Sequence, residues 1–250
     1  MPYANNQGIR IHYQVQGDGP PLILHHGITQ TWEDWQEKSY TKALSRDYQL
    51  ILLDARGHGA SDKPHDPAAY ALPLRVGDVT AVLDDLNIRQ AHFFGYSMGG
   101  WIGFGMAKYA PERLHSLIIG GAHPYEESMQ PFREPMSKGM EGLVSFAEAM
   151  FGQWLTPAGK TRLMSNDIEA LMALAQDRDS IEDVLPTMTM PCLLFTGETD
   201  FRYAEIQECA KHMPKVTFVS FPECDHFAAM AKSDLVLPHI TKFLEAVNQS

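Results

Sequence analysis

Residues 92–100 read His-Phe-Phe-Gly-Tyr-Ser-Met-Gly-Gly, a G-x-S-x-G pattern set between a short apolar run and a helical pattern carrying Trp101, Ile102, Phe104 and Met106. A strand-to-helix turn this sharp strains the backbone of its central residue, Ser97, and is tolerable only if Gly95 and Gly99 leave room around it. The Ser97 hydroxyl then projects into a pocket. The N–H of Met98 lies at the start of the helix, where the dipole and the unpaired donors favour an oxyanion. Gly103 and Gly105 would otherwise weaken this helix, so close packing against the sheet is expected at both. The chemistry implied is nucleophilic attack by Ser97. A serine hydroxyl is a poor nucleophile at neutral pH, so a base must take its proton and a carboxylate must orient that base. No His/Cys/Asp/Glu spacing argues for a metal, and no G-x-G-x-x-G follows a strand to hold a dinucleotide, so neither metal nor cofactor is expected.

The elements that must position Ser97 follow from the apolar pattern. Ile9 to Gln16 alternates, with Ile9, Ile11, Tyr13 and Val15 on one face, which predicts a half-buried strand at a sheet margin. Short apolar runs at Leu22–Leu24, Leu50–Leu53, His92–Phe94, Leu117–Ile119, Leu193–Phe195 and Val216–Phe221, flanked by Gly and Pro, read as strands buried on both faces of a parallel sheet. Between them, Val76, Val79, Val82, Leu83 and Leu86 share a helical face, as do Leu235, Val236, Ile240, Phe243, Leu244 and Val247. The alternation implies an α/β fold with an open, mostly parallel twisted sheet, right-handed crossovers and helices on both faces, its reactive groups at the carboxyl ends of the strands. The segment from about His123 to Pro186 has no strand pattern. Its Phe146, Met150, Trp154, Leu155, Leu163, Met164, Leu171, Met172 and Leu174 predict a helical insertion packed over the sheet's end as a cap. The expected division is 1–122 and 187–250 as two parts of one core, with 123–186 as the cap. Trp32 and Trp35, three residues apart, read as core packing.

A chain of 250 residues can bury a large core without a disulfide or metal staple. Its net charge of −11 repels phosphate backbones and anionic lipid, so a small-molecule substrate is expected as partner rather than nucleic acid or membrane. Cys192, Cys209 and Cys224 leave an odd count without C-x-x-C spacing and follow no secretory signal, which fits a reducing, cytoplasmic setting. The longest apolar stretches, such as Leu114–Ala122, fall far short of the roughly 20 residues that span a bilayer. Oligomeric state is left open.

Several segments together resemble the α/β-hydrolase fold superfamily with a serine nucleophile, over nearly the full chain. Beside the Ser97 turn, His25-His26-Gly27 after the run Leu22–Leu24 is similar to the family's oxyanion loop, which implies Ile28 N–H as a second oxyanion donor. Residues 54–62, Asp-Ala-Arg-Gly-His-Gly-Ala-Ser-Asp, resemble the family's Asp-x-Arg-Gly-x-Gly-x-Ser loop, where pairing in the Asp54–Arg56 region is expected as scaffold. The family's chain order of Ser, acid, His then selects among the eleven histidines. Asp200, just past the run Leu193–Phe195, matches the acid position, with Glu198 as competitor. His226, just past Val216–Phe221, matches the base. Asp225 stands where such proteins usually carry Gly; it adds a carboxylate able to raise the imidazole pKa if it approaches the ring, and Asp tolerates the left-handed region.

The resemblance implies a serine hydrolase cleaving a small to medium, mainly apolar carboxylic ester or lactone through an acyl-enzyme on Ser97. His25, Trp154 and Phe227 are the candidate substrate contacts, His25 with packing or hydrogen-bonded support as its competing role. Hydrolases of carbon-carbon bonds in vinylogous diketones use the same triad and stand second, because they often carry Trp where this chain has Phe227. A cofactor-free perhydrolase or haloperoxidase-like enzyme, and a non-enzymatic small-molecule receptor of the same fold, are further alternatives. Haloalkane dehalogenases and epoxide hydrolases of this fold place Asp at the elbow, so Ser97 disfavours them.

Overall fold

The computed structural model describes residues 2–249; residues 1 and 250, the ends of the expected core ranges, lie outside the described residues. The strands are β1 (Tyr3–Asn6), β2 (Ile9–Gln16), β3 (Pro21–His25), β4 (Gln49–Leu53), β5 (Ala91–Tyr96), β6 (Leu114–Gly120), β7 (Cys192–Gly197) and β8 (Val216–Phe221). The helices are α1 (Glu33–Glu37), α2 (Tyr40–Leu44), α3 (Leu72–Asp85), α4 (Met98–Tyr109), α5 (Gln130–Met136), α6 (Gly139–Phe151), α7 (Pro157–Met164), α8 (Ile168–Leu174), α9 (Tyr203–Lys211), α10 (Ala228–Ala231) and α11 (Ser233–Asn248).

One eight-stranded sheet runs in the order β1-β2-β4-β3-β5-β6-β7-β8. Only the β1–β2 and β2–β4 pairings are antiparallel. In register, Leu22, Ile23 and Leu24 of β3 oppose Leu50, Ile51 and Leu52 of β4 and His92, Phe93 and Phe94 of β5. Because side chains alternate across a strand, these runs feed two cores at once. Leu22, Leu24, Leu50, Leu52 and Phe94 pack with Trp35, Tyr40 and Leu244 on one face, whereas Ile23, Ile51 and Phe93 pack with Val79, Val82 and Phe104 on the other. Each such fully buried side chain is worth about 1.5–3 kcal/mol, which is what fixes the helices to their faces.

The chain leaves the sheet after β6 and returns at β7, and α5–α8 lie between, with a third cluster formed by Met129, Met136, Leu143, Ala147, Leu163 and Leu171. The only strand-like pairing there among the described residues is the isolated bridge Glu127–Arg178.

Four expectations change. The polar run Tyr3–Asn6 pairs outside β2, so β2 is the second strand rather than the margin, and its Val15 is exposed. β8 is an edge strand and is only partly buried, since no strand covers its far side. Leu235 of α11 is exposed while Val236, Ile240, Leu244 and Val247 face the core. A Cβ on Gly103 would meet Leu117 and Phe93 of the sheet, but one on Gly105 would meet Leu72 and Val76 of α3, so the second glycine serves a helix–helix contact.

Candidate active site

The strand order reverses at β3, flanked by β4 and β5, and a crevice at the carboxyl ends of such strands is the usual ligand position in α/β sheets. Ser97 sits there, one residue beyond β5 and at the N-cap of α4, with φ 54° and ψ −112°. This strained conformation is held by Ser97 N–H donating to Gly120 O at 2.8 Å and Ser97 O accepting from Trp101 N–H at 3.0 Å. A Cβ on Gly95 would lie 2.2 Å from Gly99 O, and one on Gly99 would lie 2.0 Å from His25 O, so the turn closes only with glycine at both positions.

His226 Nε2 lies 3.0 Å from Ser97 Oγ, and His226 Nδ1 lies 2.7 Å from Asp200 Oδ2. A carboxylate oxygen only accepts, so Nδ1 carries the proton it donates to Asp200 and Nε2 is left to accept from the serine hydroxyl. Asp200 also accepts from Arg202 N–H at 3.0 Å and Thr196 Oγ1–H at 3.1 Å. Burial alone would raise the Asp200 carboxyl, but His226 and Arg202 outweigh it and hold it below the usual carboxylate range. Glu198 instead accepts from Ser220 on β8.

The loop after β3 is braced by histidines. His26 Nδ1–H donates to Gly27 O at 2.8 Å while its Nε2 accepts from Ala55 N–H at 3.0 Å, and His58 Nε2 accepts from Thr29 N–H at 3.1 Å. Burial lowers both rings' pKa, that of His58 well below the usual value, which keeps them neutral and able to accept. Neither Ile28 N–H nor Met98 N–H donates to another described residue. A Cβ on Gly27 would stand 3.5 Å from Ser97 Cβ, so this loop runs beside the hydroxyl.

Residues 20–155 match the family model described as alpha/beta hydrolase fold. The chain belongs to that family. It is 27% identical over 285 aligned residues to the cis-3-alkyl-4-alkyloxetan-2-one decarboxylase of Shewanella oneidensis, covering 97% of this chain and 87% of that protein. It is 35% identical over 161 residues to 3-oxoadipate enol-lactonase 2 of Acinetobacter baylyi, covering 60% of this chain and 56% of that one. Among solved structures, the enol-lactonase from Burkholderia xenovorans superposes with a TM-score of 0.86 at 23% identity, covering 98% of this chain and 100% of that one, a likeness of fold. Family membership and the relatives named as lactonases support hydrolase chemistry, while the Shewanella relative is named as a decarboxylase.

In this alpha/beta hydrolase the pocket beside Ser97 and His226 is walled by Ile28, Phe132, Met136, Trp154 and Phe227. Trp154 and Phe227 thus stand where a substrate would touch them. His25 does not: it is buried beneath the Ser97 turn, off the pocket wall, packing on Phe93 with its Nδ1 3.2 Å from His26 O. Asp225 turns away from the imidazole, its Oδ1 accepting from Phe227 and Ala228 N–H at the start of α10, and the left-handed residue of that loop is Glu223 at φ 55°. Asp54 and Arg56 do not pair with each other. Asp54 takes His12 at 2.8 Å, and Arg56 takes Asp78.

Sequence reading missed several supports. The Tyr96 hydroxyl donates to His226 O at 2.5 Å, fixing the histidine loop to the end of β5. Gly121, at φ 60°, leaves space that a Cβ would close to 2.9 Å from His226 Cε1. The positive φ leaves no trace in a single sequence, and the glycine alone is too common a residue to mark it. At the outer end of the pocket, Arg162 of α7 ion-pairs with Asp34 at 3.2 Å and with Glu37, and Lys38 meets Asp34 at 3.0 Å, joining α7 to α1. Among the described residues no His/Cys/Asp/Glu group could hold a metal, and no helix is long and apolar enough to cross a membrane.

Proposed function

We propose that this alpha/beta hydrolase cleaves small to medium, mainly apolar carboxylic esters or lactones through an acyl-enzyme on Ser97. The observation that carries the reading is the continuous hydrogen-bonded line from Ser97 Oγ through His226 to Asp200. As Ser97 attacks the carbonyl carbon, His226 Nε2 takes its proton, and Asp200 stabilises the imidazolium and keeps the ring in the accepting tautomer. The tetrahedral oxyanion is held by Met98 and Ile28 N–H, whose lack of internal acceptors suits the role. His226 then protonates the departing alkoxide, releasing the alcohol and leaving the acyl group on Ser97. Water, deprotonated by the same nitrogen, attacks the acyl carbonyl and frees the acid. In a lactone the alcohol and acid stay joined, so one ring-opened hydroxy acid leaves.

The 3-oxoadipate enol-lactonase relative agrees with an ester-type bond in a ring. Relatives named as epoxide hydrolases also match, but opening an epoxide through an alkyl-enzyme ester calls for a carboxylate where this chain has Ser97. The apolar wall of the pocket supports an apolar acyl or alcohol group. The test is a panel of p-nitrophenyl esters of increasing acyl length with several lactones, together with fluorophosphonate labelling. Ser97→Ala is expected to abolish both turnover and labelling. Labelling retained at another residue, or no turnover of any ester or lactone by the parent chain, rejects the proposal.

A further inference from the structure

Arg75, on α3, is 4% exposed, yet its guanidinium donates no hydrogen bond and pairs with no carboxylate among the described residues; its Nη2 is enclosed without an acceptor. The neighbouring carboxylate, Asp78, is committed to Arg56 Nε at 2.7 Å and to Asn6 Nδ2 at 2.8 Å. Burial lowers the Arg75 pKa to about 10, still charged at neutral pH. A buried, unpaired cation is costly, and native proteins rarely leave such donors unsatisfied.

Arg75 borders a cleft of about 310 Å³ formed with Tyr70, Leu72, Trp101, Arg178 and Ile181, at the lower end of the roughly 300–1,000 Å³ typical of small-molecule sites. Trp101 Nε1 is likewise buried with no acceptor. The Trp101 ring lies 5.3 Å from the Arg75 guanidinium carbon and 4.8 Å from that of Arg178. Arg178 has a carboxylate partner in Glu127 at 2.9 Å, which it shares with Arg202, whereas Arg75 has none among the described residues. No residue lines both this cleft and the Ser97 pocket: Ser97 faces the pocket, and Met98 and Trp101 face the cleft from the same turn of α4.

We propose that this cleft binds a monoanionic, partly apolar carboxylate. The carboxylate would engage Arg75 and Trp101 N–H, with its apolar part against Tyr70, Leu72 and Ile181. The lining carboxylate Asp179 and the single guanidinium without a carboxylate partner among the described lining residues oppose a phosphate dianion. The site stands whether or not Ser97 turns over esters.

Benzoate, inorganic phosphate and chloride titrated at constant ionic strength against the intact chain test it, read by thermal unfolding and tryptophan fluorescence. Benzoate is expected to raise Tm saturably and to change the fluorescence in both the parent and Ser97→Ala, with phosphate at least tenfold weaker. Arg75→Met removes the unpaired guanidinium at similar volume; it is expected to unfold no lower than the parent without benzoate and to respond at least tenfold more weakly to it. Trp101→Phe keeps the test open if Arg75→Met does not fold, because it should lose the fluorescence change while keeping a weakened Tm shift. No saturable benzoate effect, an equal effect in Arg75→Met, or an unchanged fluorescence response in Trp101→Phe overturns the site. An effect lost in Ser97→Ala assigns benzoate to the Ser97 pocket and overturns it equally, and phosphate binding more tightly than benzoate overturns the carboxylate class.

Discussion

At the scale of single residues, the geometry around His226 is set by contacts that its own loop does not supply. A methyl at position 121 would stand 2.9 Å from the ring, so Gly121→Ala is expected to swing the imidazole off the line joining Asp200 and Ser97. About a hundredfold loss in kcat with an unchanged circular dichroism spectrum is the expected result, since about 1 Å of misplacement can cost that much. Asp200→Asn should act through the tautomer instead. It leaves the ring in place but reverses its donor and acceptor, and kcat on the best p-nitrophenyl ester should fall by about 10⁴ with KM little changed. Ser97, Asp200 and His226 were legible because each follows closely on an apolar run, with the resembled family's order of Ser, acid and His selecting the latter two. Tyr96, Gly121 and the orientation of Asp225 were not. The Tyr96–His226 bond joins residues 130 apart in the chain, and no local pattern encodes such a pairing.

Among the elements, short apolar runs marked six strands, β3 to β8, as burial between two helical layers requires of the inner ones, and apolar–polar alternation marked β2. β1 was hidden for the opposite reason: Tyr-Ala-Asn-Asn lies at the edge and needs little apolar surface. The contact between α7 and α1 was equally invisible, since Arg162, Asp34 and Glu37 look like ordinary solvated charges until the fold brings them together. Arg162→Met should lower Tm by about 2–4 °C, the shift of a ~1 kcal/mol loss in a chain of this size, and should speed proteolysis of α6 and α7. Burial tends to raise the carboxyls of Asp34 and Glu37, but Lys38, Arg162 and their hydrogen bonds prevail, so both lie below their ordinary values. Their contribution is therefore present above the ordinary carboxyl pKa near 4 and fades as pH falls through the lower folded values. The difference between Arg162→Met and the parent should shrink over that same interval, which urea titrations at pH 6, 4 and 3 would measure.

For the molecule as a whole, buried neutral histidines govern the response to acid. Burial and His115 lower His92 to about 4, while burial, with His26 and Arg75 nearby, pushes His25 and His58 well below the usual value. Below about pH 6.5 the unfolded chain takes up protons at these positions and the folded chain does not, so stability falls as pH falls. The expected slope is about 1.4 kcal/mol per pH unit for each histidine, beginning near pH 6.5 and, for His92, ending near 4. Urea midpoints flat from pH 7.5 to 5 would contradict this. The parallel sheet and its two-sided core were readable from sequence, whereas the burial of these rings was not, because neither His92 in an apolar run, His25 beside His26, nor His58 between two glycines carries a local sign of what packs over it. The Glu127–Arg178 bridge, with N–H to O distances of 3.0 and 2.9 Å in the two directions and Arg202 bonded to the Glu127 side chain, ties the outgoing and returning strands of chain at one knot beneath α5–α8. A different set of helices grafted between 128 and 177 is therefore expected to reshape the pocket wall while leaving Ser97, His226 and Asp200 in line.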